Sequence, residues 1–212
     1  MTELRVGLLG LGTIGTGVAR ILIEQKELIS RRLGKQVRLV AAADRDLDRD
    51  RGLDFAGVRL SDDANDIIAA DDIDLVVELI GGYEPARSFV ATALANGKHV
   101  VTANKALIAK HGEELFPVAA ANGLQIGFEA AVGGGIPCMK ALREGLAANA
   151  IESVYGILNG TCNFILTKME NEGADYADVL KEAQQLGYAE ADPTFDVEGI
   201  DTAQKLSILA AI

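Results

Sequence analysis

At 212 residues the chain has room for one complete domain and part of a second, and its 49% hydrophobic and 24% charged residues describe a folded chain. Thirty-one acidic residues against 20 basic ones give a formal charge of −11 and leave no basic run to track a phosphate backbone, so nucleic acid is excluded as an expected partner. No apolar run approaches the length of a membrane span, no secretion signal opens the chain, and Cys138 and Cys162 lack the spacing of a disulfide framework or zinc site; a cytoplasmic location is expected.

Short runs rich in Val, Ile, Leu and Ala fall at 5–9, 37–43, 75–79, 99–102 and 124–128, with helix-like stretches between them. Strands without polar alternation belong in a parallel sheet covered on both faces, which predicts an α/β, Rossmann-type doubly wound architecture. The segment 14–33 has its apolar residues at Val18, Leu22 and Ile29 among Arg20, Glu24 and Lys26, and is expected to be one amphipathic helix. Near Glu129-Ala-Ala-Val-Gly-Gly-Gly-Ile-Pro137 the texture changes, which places a dinucleotide-binding domain at 1–130 and the first part of an incomplete α+β substrate and dimerisation domain at 131–212. A helix over 137–148, a strand over 153–158, a turn at Asn159-Gly160, and helices near 163–171 and 176–186 are expected there. The final segment, 200–212, reads as a helix that stops without a capping glycine or a tail, as a truncated chain would.

Gly10-Leu-Gly12-Thr-Ile-Gly15 follows the first strand and opens the first helix, the context in which the GxGxxG pattern has meaning. Gly10 allows the tight turn, Gly12 lets a pyrophosphate approach the backbone, and Gly15 lets helix and strand pack closely. The amides at the helix start, at Thr13 and Ile14, face the anion. At the end of the second strand, Asp44 suits the ribose hydroxyls of NAD, whereas Arg45 suits the 2′-phosphate of NADP; the sequence leaves both open.

Hydride transfer also needs a group that moves a proton. Lys105 lies just past a strand's carboxyl end, in Thr102-Ala-Asn-Lys-Ala106. Lys205 stands four positions after Asp201, so both project from one helix face. A solvent-exposed ion pair is the simple interpretation of that spacing; against it, the helix is largely apolar, and burial would lower the lysine's pKa. The turn Gly187-Tyr-Ala-Glu-Ala-Asp-Pro193 and the nearby Phe195-Asp196 bring Glu190 and Asp196 close in sequence to Asp201, a set able to converge on a substrate ammonium.

Together, Gly10–Gly15, Thr102-Ala-Asn-Lys105, the 129–137 segment, Leu158-Asn-Gly-Thr-Cys-Asn163, the 187–193 turn and Asp201 with Lys205 resemble homoserine dehydrogenase across almost the whole chain. The resemblance implies reversible NAD(P)-linked interconversion of L-homoserine and L-aspartate 4-semialdehyde, on the way to threonine, isoleucine and methionine. It casts Lys205 as proton donor and acceptor at the reacting oxygen, with Lys105 beside it near the nicotinamide and Asp201 orienting Lys205. Glu190 resembles the residue that holds the substrate ammonium, with Tyr188 and Asp196 lining the same pocket. Glu129 and the main-chain carbonyls of Val132, Gly134 and Ile136 resemble a site for a monovalent cation, usually sodium, at the domain junction, where oxygen-only ligands suit a hard ion. The family commonly has Thr where this chain has Cys162, and its members continue well beyond position 212, as homodimers or homotetramers and sometimes with a regulatory domain. Two other interpretations stay open: a semialdehyde dehydrogenase acylating Cys138 or Cys162, and a non-catalytic module that senses a dinucleotide.

Overall fold

The computed structural model describes residues 3–212, which fall into two compact units, the first ending at Pro137 and the second spanning Cys138–Ile212. In the first, six parallel strands form one sheet: β1 (Glu3–Leu9), β2 (Gln36–Ala43), β3 (Arg59–Ser61), β4 (Leu75–Glu78), β5 (His99–Thr102) and β6 (Ile126–Gly127), in the order β3-β2-β1-β4-β5-β6. The direction of winding reverses between β1 and β4, where ligands of such sheets bind beyond the carboxyl ends of the strands. Consecutive residues are buried along these strands, Leu8 with Leu9, Val40 through Ala43 and Val76 with Val77, so both faces are covered and the strands carry no polar alternation.

The helix expected over 14–33 is two: α1 (Thr13–Glu24) and α2 (Lys26–Leu33). Gln25 leaves helical geometry at φ −106° and ψ 16°, and the bend lets Ile29 pack on the same core cluster as Val18, Leu22 and Ile23. The strand β3 and the helix α3 (Ala64–Ile68) have no counterpart in the expected elements; β3 is only three residues long, with Leu60 exposed, and exists because β2 offers it a ladder. The helices α4 (Ala86–Ala95) and α5 (Lys105–Ala121) complete the crossovers, and the four-residue helix α6 (Glu129–Val132) follows β6.

The second unit departs further from expectation. In place of a helix over 137–148 there is one turn, α7 (Cys138–Lys140), continuing as a π-helical turn at Ala141–Gly145 that Leu146 N–H closes on the Ala141 carbonyl at 2.9 Å. Only Met139 of this stretch is buried, so no apolar face sustains a longer helix. No strand forms over 153–158: Tyr155 is 94% and Ile157 76% exposed, and among the described residues of this unit no second strand offers a ladder. The helices near 163–171 and 176–186 are present as α8 (Gly160–Glu172) and α9 (Tyr176–Gln185), followed by α10 (Thr194–Val197) and α11 (Ile200–Ala210). Ile165, Val179, Ala183 and Ala189 form the core beneath them. Among the described residues no helix is long and apolar enough to cross a membrane.

Candidate active site

The glycine turn has the steric form its spacing requires. Gly10 has φ +93°, and a Cβ there would lie 2.9 Å from the Leu79 carbonyl oxygen. A Cβ on Gly15 would stand 1.9 Å from the Gly10 oxygen, whereas one on Gly12 would meet nothing within 4 Å. Gly10 and Gly15 are therefore glycine for packing, and Gly12 for the space in front of it. The helix α1 has Gly12 as its N-cap, with no side-chain cap and no acidic residue in its first turn, which suits the amide ends at Thr13 and Ile14 to an anion.

Asp44 is placed beside this turn, but its carboxylate is engaged within the protein. Oδ2 accepts the Leu11 amide at 2.5 Å, Oδ1 accepts the Asp46 amide at 3.0 Å, and Arg51 pairs with Oδ1 at 3.2 Å. Desolvation raises the pKa of Asp44, but the amides of Asp46 and Leu11 with the Arg51 charge outweigh it and hold the carboxyl below its ordinary range. Arg51 Nε also donates to the Leu11 carbonyl at 3.0 Å, so Leu11 is gripped at both its N–H and its C=O. Arg51 was invisible in the sequence because nothing local marks an arginine eight positions past a strand. Arg45 is exposed.

At the carboxyl ends of β4 and β5 a buried polar network appears that the sequence reading missed. Glu78, 0% exposed, accepts the amides of Ile80 at 2.8 Å and Gly81 at 3.0 Å through Oε1, and the Thr102 hydroxyl at 2.6 Å through Oε2. Thr102 Oγ1 in turn accepts the Asn104 amide at 2.9 Å. Asn104 Oδ1 caps α5 by accepting from Leu107 N–H at 3.1 Å, while its Nδ2 donates to the Gly82 carbonyl at 2.7 Å. Lys105, half-buried, is the first residue of that helix.

Glu129 is half-buried at the start of α6, and the turn that follows carries Val132, buried, with Gly134 and Ile136, both exposed. Gly133 N–H closes on the Glu129 carbonyl and Ile136 N–H on the Gly133 carbonyl, each at 3.1 Å, and Gly135 takes φ +78°. A carboxylate and main-chain oxygens in one short turn are a donor set that fits a hard monovalent ion. Among the described residues no cluster of three or more His, Cys, Asp or Glu side chains could hold a metal.

In the second unit Lys205 and Asp201 are an ion pair at 2.8 Å, with side chains only 19% and 5% exposed. The exposed pair that i,i+4 spacing alone allows is therefore not what forms. Lys205 Nζ also donates to the Leu158 carbonyl at 2.8 Å. Asn159, the N-cap of α8, joins the cluster: its Nδ2 donates to Asp201 Oδ2 at 2.9 Å and Asp196 Oδ1 at 2.7 Å, and its Oδ1 accepts the Cys162 amide at 2.8 Å. Thr161 Oγ1 donates to the Tyr188 carbonyl at 2.6 Å and lies 3.2 Å from Asp196 Oδ2. Asp196, Asp201 and Lys205 are thus brought together, with Asn159 and Thr161 as the unforeseen connectors; an Asn opening a helix was the signal available. Tyr188 meets the cluster only through its main chain, its ring packing on Phe164 at 5.0 Å. Glu190 is exposed, with Gln184 Nε2 on its main-chain oxygen at 3.0 Å.

Residues 10–129 match the family model described as "Homoserine dehydrogenase, NAD binding domain", and residues 137–212 that described as "Homoserine dehydrogenase". The homoserine dehydrogenases of Neisseria gonorrhoeae and Pseudomonas aeruginosa are 51% and 52% identical over all 212 residues, which cover 48% of each relative; the chain spans about half the length of these curated relatives. A crystal structure of a homoserine dehydrogenase from Thiobacillus denitrificans superposes with a TM-score of 0.93 at 58% identity, covering 100% of this chain and 49% of that one. A hyperthermophilic archaeal homoserine dehydrogenase solved in complex with NADPH superposes with a TM-score of 0.84 at 29% identity, covering 98% of this chain and 69% of that one. Matched by family models in both its units and by relatives along its whole length, the chain belongs to the homoserine dehydrogenase family.

Proposed function

We propose that the protein interconverts L-homoserine and L-aspartate 4-semialdehyde with NAD or NADP, serving threonine, isoleucine and methionine synthesis in the cytoplasm as a homodimer or homotetramer. The observation that carries this reading is the half-buried Lys205, paired with the buried Asp201. Its ammonium has three protons, of which one goes to the Leu158 carbonyl and one to Asp201 Oδ2, leaving one for a substrate oxygen. Asp201, itself fixed by Asn159, holds the amine in one orientation and balances its charge. The bound nicotinamide supplies or accepts the hydride, in the manner of such cofactors. Lys205 then gives its proton to the aldehyde oxygen as the alcohol forms, and takes it back in the reverse direction, with no covalent intermediate.

In the first unit, Gly10, Gly12, Gly15 and the amides of Thr13 and Ile14 are assigned to the pyrophosphate, Asp44 and Arg45 to the adenosine ribose, and Lys105 to the nicotinamide end. The exposed Glu190 is assigned to the substrate ammonium, with Tyr188 and Asp196 beside it. A monovalent cation is assigned to Glu129 and the carbonyls of Val132, Gly134 and Ile136; a sodium-dependent rise in melting temperature, absent with lithium, would support it. The reaction is tested by nicotinamide absorbance in the full-length protein on adding L-homoserine with each cofactor in turn. Lys205→Ala is expected to lower turnover by on the order of 10²–10⁴ while cofactor binding is kept. Unchanged turnover would end the proposal.

A further inference from the structure

We propose that Glu78 is a positioning residue for the nicotinamide half of the cofactor, an inference that rests on the dinucleotide-binding reading above. A carboxylate inside a parallel sheet is costly, and its strand neighbours Val76 and Val77 show what the position would hold if packing were the only demand. Glu78 is placed where the winding of the sheet reverses: it pairs in register with Leu9, the residue before Gly10, on one side and with Thr102 on the other. Its carboxylate closes a ring of bonds. From Glu78 the ring runs through the Ile80 and Gly81 amides to the chain at Gly82, from the Gly82 carbonyl to the Asn104 side chain, and from the Asn104 amide through the Thr102 hydroxyl back to Glu78. Two segments are fixed at once. One is the 80–82 turn, continuous with the Leu79 carbonyl that Gly10 packs against; the other is the start of α5, where Lys105 stands.

A dinucleotide laid across such a switch point puts its adenosine half over β1 and β2 and its nicotinamide half over β4 and β5. The Asp44 and glycine-turn contacts belong to the first half, and the Glu78 ring belongs to the second. Loss of the ring should therefore weaken the whole dinucleotide and spare its adenosine fragment.

Thr102→Val, which keeps shape and removes the hydroxyl, tests this in the full-length protein beside Thr102→Ser, which keeps it. Binding of the preferred reduced cofactor is read by its fluorescence, and binding of the matching adenosine fragment, AMP or 2′,5′-ADP, by competition. Thr102→Val should weaken the dinucleotide about tenfold or more, with KM for the cofactor rising in step, kcat little changed and the fragment within about twofold; Thr102→Ser should restore binding. Glu78→Gln should show the same contrast, because its amide can donate to Thr102 Oγ1 but leaves the hydroxyl proton without an acceptor. Equal loss of dinucleotide and fragment, or loss of neither, would overturn the assignment. A wild type that binds cofactor but does not turn over homoserine would instead overturn the activity proposed above, and the binding contrast would still decide the role of Glu78.

Discussion

Asp201 Oδ2 receives both the Lys205 ammonium and the Asn159 amide, and neither charged side chain is well hydrated. Removing the carboxylate strands a largely buried ammonium, so Asp201→Ala is expected to cost about 3 kcal/mol of stability as well as most of the turnover, measured by denaturant melts beside nicotinamide assays. The neighbouring thiol behaves differently. Burial first, then the charges of Asp196 and Asp201, push the Cys162 pKa above its ordinary value, and Sγ lies 3.2 Å from the Asp196 carbonyl. A thiol kept protonated is a poor nucleophile, which weighs against an acyl-enzyme route through Cys162. Cys162→Ser in the full-length protein is expected to keep turnover within about threefold, and a collapse of activity comparable to that of Lys205→Ala would contradict the lysine mechanism.

At the scale of elements, the turn between β1 and α1 separates two duties that one motif conceals. Gly15→Ala forces a methyl group into the Gly10 carbonyl and must part helix from strand, so it is expected to cost about 3 kcal/mol or more, read as a lowered melting midpoint. Gly12→Ala adds its methyl group to open space at φ −68°, a backbone any residue adopts, and should change stability by no more than about 0.5 kcal/mol. Its methyl group would nonetheless occupy the approach of the pyrophosphate, and cofactor affinity measured by titration should fall about tenfold or more. Equal stability losses in the two variants would show that the turn is packed differently.

For the whole molecule the acid limit can be stated from its anchored carboxylates. Arg5 donates to Asp74 through its side chain and its backbone amide, and these bonds outweigh desolvation to hold Asp74 below its ordinary value of 3.8. Asp44 is lowered likewise, despite desolvation, by the amides of Asp46 and Leu11 and by Arg51. For a carboxylate depressed in the folded state, the stabilisation is full above the unfolded value and disappears as pH falls through the folded one. Stability of the first unit is therefore expected to be flat with respect to these two groups at neutral pH and to drop below about pH 4. Asp74→Asn should flatten that drop in acid melts monitored by circular dichroism.

Much of this was legible in the residues themselves. Five of the six strands show as apolar runs because a strand buried on both faces must be continuous in Val, Leu, Ile and Ala. The glycine spacing at 10, 12 and 15 and the four-residue step from Asp201 to Lys205 are local geometry, which sequence states directly. What only the tertiary structure decided is whatever depends on a partner distant in the chain. A strand at 59–61 forms because β2 is beside it, and none forms at 153–158 because no neighbour among the described residues completes its ladder. Glu78 finds Thr102 and Asn159 finds Asp201 across gaps of 24 and 42 residues. Buried polar groups are selected by the donors and acceptors that folding brings to them, and no local pattern encodes which those will be.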